Sequence, residues 1–294
     1  MTILVFGGSG NVSRALVPML QEAGARVRVA TRSSARAQSL PGGVEPVIAD
    51  MDDPPSLRAA FDGVSSVFLL VANGPNEVQQ GLATLAIAQE FCPGHIVYLS
   101  SDLSTRAPMI PHAGAKVAIE AALKASAMAH TILRPTYFAQ NDLLTKGAIS
   151  SGVYPAPLGP HPVARVDVRD VATAAATALL QARAENEVFV LSSPDAPNGM
   201  ETAALWSKAL VREVAYPDLT PEAFADGAQS TLPPWLNFDL LIMHRWFRDH
   251  GHPIDEKALD RQRTLLPDGP RSYTDFVMET GEAWNRVGAS NVSR

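Results

Sequence analysis

The chain has 294 residues, of which 46 % are hydrophobic and 18 % charged. That is enough for one large domain or two smaller ones with a buried core, and too apolar for a disordered chain. A net charge of −6 with no block of basic residues argues against nucleic acid as a partner. The single cysteine, Cys92, excludes an internal disulfide framework and a thiolate metal cluster. It ends an apolar helical pattern before Pro93 and is expected to be a buried structural thiol. No apolar run is long enough to span a bilayer and no signal peptide is read before the first strand, so a cytoplasmic protein is expected.

In chain order, Thr2 to Phe6 is an apolar strand that runs directly into Gly7-Gly8-Ser9-Gly10, and Asn11-Val12-Ser13 opens a helical pattern. Strand, glycine turn and helix in that sequence form a nucleotide-binding signal. Gly7 suits the tight turn. Gly10 lets a pyrophosphate approach the helix N-terminus, where free N–H groups and the helix dipole favour an anion. The spacing is G-x-x-G-x-x-S, so Ser13 stands where a third glycine would serve helix–sheet packing. Further strands are predicted at Arg26–Ala30, Val44–Ala49, Val67–Val71, Ile96–Leu99 and Thr131–Leu133, with helices opening at Asp53-Pro54-Pro55, over Glu77–Phe91 and over Lys116–Ala127. Alternation of this kind predicts βαβ units and a doubly wound parallel sheet of the Rossmann type.

Past Pro135 the texture changes to a proline-rich loop segment, followed by a helix opened by Asp167 and a strand at Glu187–Leu191. A helix around Leu205 and an amphipathic helix from Leu236 to His250 complete the pattern. The expected division is a nucleotide-binding domain over 1–150, its sheet completed by about 165–192, and a smaller mixed lobe for substrate over 151–294. Trp206, Trp235, Trp246 and Phe247 fit the lobe core, with one or two of them available to line an apolar pocket.

The second strand ends in Thr31-Arg32-Ser33-Ser34-Ala35-Arg36, without the carboxylate that would hold a ribose 2′-hydroxyl. Arginines there suit a 2′-phosphate, because a guanidinium engages phosphate oxygens through several donors at once. NADP(H) is therefore expected over NAD(H), although Arg32 and Arg36 on a solvated helix face is the plain alternative. Asp50 and Met51 would lie near the adenine; capping of a helix by Asp50 or Asp53 explains those carboxylates equally well.

The chain resembles the NmrA-like branch of the atypical short-chain dehydrogenases and reductases. The resemblance rests on the glycine turn, Thr31-Arg32, Val97-Tyr98-Leu99-Ser100-Ser101, Lys116-Val117-Ala118-Ile119-Glu120, Thr131 to Asn141 and Val166 to Ala172. It implies NADP(H) at the carboxyl ends of the strands and a small-molecule substrate under the C-terminal lobe. Val71, Ala72 and Pro135 are expected around the cofactor; Tyr137 and Phe138, after the sixth strand, either pack near the nicotinamide or are plain core. Familiar members of the superfamily use Tyr-x-x-x-Lys, four residues apart so that both side chains share a helix face. Here that spacing reads His112-Ala113-Gly114-Ala115-Lys116, which keeps the lysine and lacks the tyrosine. Lys116 would hold the nicotinamide ribose; a surface lysine paired with Glu120 is the alternative. His112 is a candidate proton donor or a solvent-facing loop residue. Ser100, Ser101 and Asp102 follow the fifth strand, where a ligand crevice opens: one of the serines would orient substrate, or Ser101 or Asp102 only caps a turn. His161, His244, His250 and His252 show no metal-ligand spacing supported by neighbouring carboxylates, and no metal is expected.

Three functions are compatible with these residues. The first is an NADPH-dependent reductase of an apolar, cyclic or conjugated acceptor such as a quinone, enone or imine. A non-catalytic NADP(H) sensor that binds a protein partner is the second, and a non-redox cyclase or isomerase on the same fold is the third.

Overall fold

The opening apolar run is β1 (Thr2–Val5), and α1 (Asn11–Glu22) follows the glycine turn in the computed structural model, which describes residues 1–8, 10–181 and 186–292. The chain continues through β2 (Arg26–Thr31), α2 (Ser34–Ala37), β3 (Glu45–Ile48), α3 (Pro54–Phe61), β4 (Ser66–Leu69) and α4 (Glu77–Phe91). Next come β5 (His95–Leu99), α5 (Leu103–Arg106), α6 (Pro111–Ala125) and β6 (His130–Pro135). Prolines open α3 and α6, where a missing N–H leaves no bond unmade. Because α6 starts at Pro111, His112 stands in a helical turn rather than in a loop.

After β6 come β7 (Tyr137–Phe138), a 3₁₀ turn over Ala139–Thr145, α7 (Lys146–Ser150) and β8 (Arg165–Val166). The order ends with α8 (Val168–Gln181), β9 (Glu187–Leu191), α9 (Gly199–Leu210), α10 (Pro221–Ala228), α11 (Pro234–His250), α12 (Glu256–Arg261) and α13 (Tyr273–Val292). The main sheet has seven parallel strands in the order β3-β2-β1-β4-β5-β6-β9. Strand order reverses between β1 and β4, the point at which an open parallel sheet leaves a crevice at its carboxyl edge. β4 and β5 are buried along their whole length, as strands covered on both faces must be. One face packs Leu4, Phe6, Leu69, Ile96, Tyr98 and Ile132 against Leu57, Leu85, Ile119 and Leu123 of the helices.

The chain forms two compact units: Met1–Pro135 with Val168–Leu191 and Arg261–Asp268, and Thr136–Asp167 with Ser192–Asp260 and Gly269–Arg294. Residues 136–150 thus go with the second unit rather than with the expected 1–150 domain. The reason is local: after Pro135 the chain enters β7, which pairs with β8 and not with the main sheet. The second unit is organised around buried polar groups. Asp142 accepts hydrogen bonds from Tyr154 Oη (3.0 Å), Trp206 Nε1 (3.1 Å) and Tyr273 Oη. Arg165, with no exposed surface, donates to the carbonyls of Val163 and Pro197 and to Thr202 Oγ1, and lies 4.1 Å from the Tyr273 ring. Trp206 stacks on Trp284 at 4.9 Å, so it is lobe core. Trp246 and Phe247 pack on His252 and on each other, while Trp235 is exposed.

One expectation fails outright. Cys92 is exposed, because α4 stops at Phe91 and Cys92 caps it in a left-handed conformation (φ 46°) that carries the side chain off the apolar face.

Candidate active site

β1 delivers the chain into a turn built for small residues. Gly7 has φ 73°, and a Cβ there would meet the Leu70 side chain at 2.9 Å. Gly8 lies hard against β2, where an added Cβ would fall 2.0 Å from Cγ1 of Val29. Gly10 N donates to Gly7 O (2.9 Å) and closes the turn. Gly10 is also the N-cap of α1, which has no side-chain cap and no acidic residue in its first turn. The leading amides of α1 therefore have no acceptor within the helix, and a dipole of matching sign stands behind them. This is a cradle for an anion. Ser13 is fully buried, with Oγ donating to Phe6 O at 3.5 Å, and so takes the packing place read for it in the sequence.

The turn floors a cleft of about 270 Å³ in the first unit. Ala30, Thr31, Arg32 and Arg36 wall it after β2, with Leu40 beyond them; Ala49, Asp50 and Met51 reach it from the end of β3. Leu70, Ala72 and Gln80 close it from β4 and α4. Arg32 and Arg36 are exposed at its edge. Arg36 is held on the single turn of α2, whose N-cap Ser33 accepts from Arg36 N through Oγ (3.3 Å). The capping alternative for the acidic pair is not realised. Asp53 precedes α3 without a side-chain cap bond, and Asp50 Oδ1 accepts from Asp52 N (3.0 Å). Gln80 Nε2 donates to Asp52 Oδ2 (2.8 Å), tying α4 to the loop after β3.

Of the residues singled out for a cofactor, Gly7, Gly10, Thr31, Arg32, Arg36, Asp50, Met51 and Ala72 come together in this cleft. Asn11 and Val12 begin α1 just behind it; Asn11 is exposed, and Val12 is buried. Val71 packs into the core beneath the sheet. Ser9 lies outside the described residues. Pro135 ends β6, where its carbonyl accepts from Asp102 N (3.0 Å). Tyr137 and Phe138 belong to the second unit, in which Tyr137 meets Phe247 edge-on at 5.6 Å.

A second polar group lies in the first unit among α4, β5, α5, α6 and β6. Lys116 is buried, and its Nζ meets Glu77 Oε1 at 2.6 Å, from the first turn of α4. The surface pairing with Glu120 read as an alternative is not formed. Glu120 instead accepts from Ser100 Oγ (2.5 Å), Ser104 Oγ (3.2 Å), Lys124 Nζ (3.0 Å), Arg134 Nε (2.9 Å) and Arg134 Nη2. Burial alone would raise the pKa of Glu120, but hydrogen bonds from Arg134, Ser100 and Lys124 hold it at about 2. Tyr98 is buried on β5, and its hydroxyl has no hydrogen-bond partner among the described residues. Burial, and then the charges of Glu77 and Glu120, push that phenol well above its ordinary range. Ser101 Oγ accepts from Leu103 N (3.3 Å), the turn-capping geometry, and Asp102 pairs with Arg106 at 2.6 Å. His112 is half-buried in the first turn of α6. Glu77, Gln80 and Tyr98 were not singled out from the sequence. Glu77 and Lys116 are 39 positions apart, and no motif spans them.

A family model described as the NmrA-like family matches residues 1–277. The chain belongs to this family. Its relatives include an NAD(P)H azoreductase from Xenophilus azovorans, 33 % identical over 227 residues, which cover 75 % of this chain and 78 % of that protein. A (4-alkanoyl-5-oxo-2,5-dihydrofuran-3-yl)methyl phosphate reductase from Streptomyces griseus is 33 % identical over 242 residues, 79 % of this chain and 82 % of the other. Among solved structures, an NADPH-dependent quinone oxidoreductase from Escherichia coli, complexed with NADPH, superposes with a TM-score of 0.84. It covers 95 % of this chain and 99 % of its own at 23 % identity, a likeness that shows the fold.

Proposed function

We propose that the chain is an NADPH-dependent reductase of a small, apolar, cyclic or conjugated acceptor of the quinone, enone or imine type. The observation that carries this reading is the cleft at the reversal of strand order, with an uncapped helix N-terminus at its floor and two arginines at its edge. Two relatives of like length and about one-third identity are named as reductases, which supports the same reading.

In this reading the backbone after Gly7, with Ser9, Gly10, Asn11 and Val12, holds the pyrophosphate. Thr31, Arg32 and Arg36 hold the 2′-phosphate, each guanidinium contact being worth ~1.5–3 kcal/mol as a charge-assisted hydrogen bond. Asp50 and Met51 flank the adenine, with Asp50 free to accept from its amino group. Val71, Ala72, Pro135, Tyr137 and Phe138 surround the nicotinamide half, and Lys116 holds its ribose. When bound, the cofactor supplies the hydride, so the protein's task is to orient the acceptor and provide a proton. His112 is the proposed proton donor. Ser101, whose oxygen is occupied by Leu103 N, keeps its own O–H to orient an acceptor oxygen or nitrogen. A cytoplasmic location goes with this chemistry.

The test is NADPH consumption followed at 340 nm with a panel of quinones, azo dyes and enones, alongside calorimetry with NADP⁺ and NADPH. Turnover of at least one acceptor class is expected, with NADPH preferred to NADH. Binding of both coenzyme forms without consumption by any acceptor would replace the reductase with a nucleotide sensor.

A further inference from the structure

The reductase reading leaves Glu77 without a task. It is 1 % exposed in the first turn of α4, and its Oε1 sits 2.6 Å from the ammonium of Lys116, also buried. A buried ammonium without a counter-charge gives up its proton. Glu120, one helical turn after Lys116, is committed to Arg134 and Lys124. Asp102 is committed to Arg106, and Glu90, at the far end of α4, to Arg58. The other ionisable groups on the elements packed around α6 are His95 and Tyr98 of β5 and His130 of β6, with His112 on α6 itself, and none of them is a carboxylate. Glu77 is therefore the carboxylate that keeps Lys116 charged. Three residues along the same turn of α4, Gln80 lines the nucleotide cleft and bonds Asp52. One short piece of helix thus ties the cleft to the side chain on α6.

We infer that Glu77 is a positioning residue for the reduction: it holds Lys116 protonated and fixed in place, and Lys116 is the group that touches the cofactor. This inference rests on the reductase reading. A purely structural pair would behave differently. Its loss would lower stability and leave the pH dependence of kcat/KM unchanged, whereas loss of the group that keeps Lys116 charged makes activity fall as pH rises.

The experiment compares the native enzyme with Glu77→Gln, which keeps shape and removes charge, in NADPH oxidation from pH 6 to pH 9 with one acceptor that the native enzyme reduces. The ratio of variant to native kcat/KM is expected to fall at least tenfold across that range, with most of the activity regained at the acid end. Glu77→Asp, which restores the charge one methylene shorter, should flatten the fall to threefold or less. Lys116→Met should abolish any further effect of Glu77→Gln in the double variant. A ratio independent of pH overturns the inference, as does an added loss from Glu77→Gln in the Lys116→Met background. Should Glu77→Gln not fold, Glu77→Met, which removes the charge in a side chain of like volume, carries the same ramp, and a flat ratio there overturns the inference equally. A native enzyme that consumes no NADPH with any acceptor overturns the reductase reading and this inference with it. A native enzyme that turns over beside an unchanged profile in the variant overturns the inference alone.

Discussion

Replacing Gly8 by alanine probes whether close approach of the glycine turn to β2 sets the shape of the nucleotide cleft. The new Cβ would lie 2.0 Å from Cγ1 of Val29 and 3.5 Å from its Cβ, whereas carbon pairs sit well at ~3.5–4.0 Å. Val29 has little room to yield. It is fully buried, locked in register opposite Val5 of β1, and β-branched, so its χ1 is stiff. Overpacking of this kind costs ~1–3 kcal/mol, or roughly 2–4 °C of Tm per kcal/mol for a chain of this size. Val29→Ala alone removes two buried methyl groups at ~0.8 kcal/mol each plus a cavity. Combined with Gly8→Ala it also removes the clash, so the double variant should be more stable than the sum of the singles by ~1–3 kcal/mol. Thermal unfolding read by fluorescence, with calorimetry of NADP⁺ binding beside it, measures both consequences. Gly8→Ala should weaken NADP⁺ about tenfold, ~1.4 kcal/mol, with the double variant recovering part of the loss. Native Tm and native affinity in Gly8→Ala, or strict additivity in the double variant, would refute the argument.

Three further outcomes are expected. Arg32→Ala and Arg36→Ala should each raise KM for NADPH by about 10- to 100-fold, at ~1.5–3 kcal/mol per lost charge-assisted bond, and leave KM for NADH nearly unchanged; equal effects on both coenzymes would remove the 2′-phosphate assignment. Glu120→Gln should destabilise by ~3–5 kcal/mol, because Arg134 is left with an uncompensated charge in a partly buried site; urea unfolding of the variant checks this. Burial lowers the pKa of His244 to about 4 from an ordinary 6.5. The unfolded chain therefore takes up its proton first as pH falls, and stability is lost progressively from about pH 6.5 down to about pH 4. At pH 5 this loss is on the order of 2 kcal/mol relative to pH 7, and His244→Phe should remove it, which melting at the two pH values would show.

The nucleotide half was readable because its signals are local. A buried parallel strand is apolar throughout, a glycine turn has no substitute where φ is 73° and a neighbour lies within 3 Å, and the end of β2 is at a fixed place in the fold. Spacing points to Lys116, but the one side-chain partner it offers, in the plain alternative to a site role, is Glu120 four residues on. Helix periodicity reports neighbours on one helix and is silent about a carboxylate arriving from another, and Glu120 was already claimed by Arg134 from β6. Cys92 was misjudged for a related reason: the apolar pattern of α4 runs up to it, and only the left-handed turn at that residue reveals that the helix has ended. The Asp142 and Arg165 centre of the second unit left no trace in any short window, since its members are gathered from residues 142 to 273.

The order in which the chain visits its two units restricts how this architecture can be rearranged. The seventh strand, β9, reaches the edge beside β6 only after 136–167 has been spent elsewhere, and Arg261–Asp268 returns later still. No single cut releases a self-sufficient nucleotide cassette. A fragment ending at Pro135 would leave the backbone of β6 as an open sheet edge, ready to pair with another copy. Recombination at a single junction therefore divides one sheet between two parents instead of exchanging a whole unit.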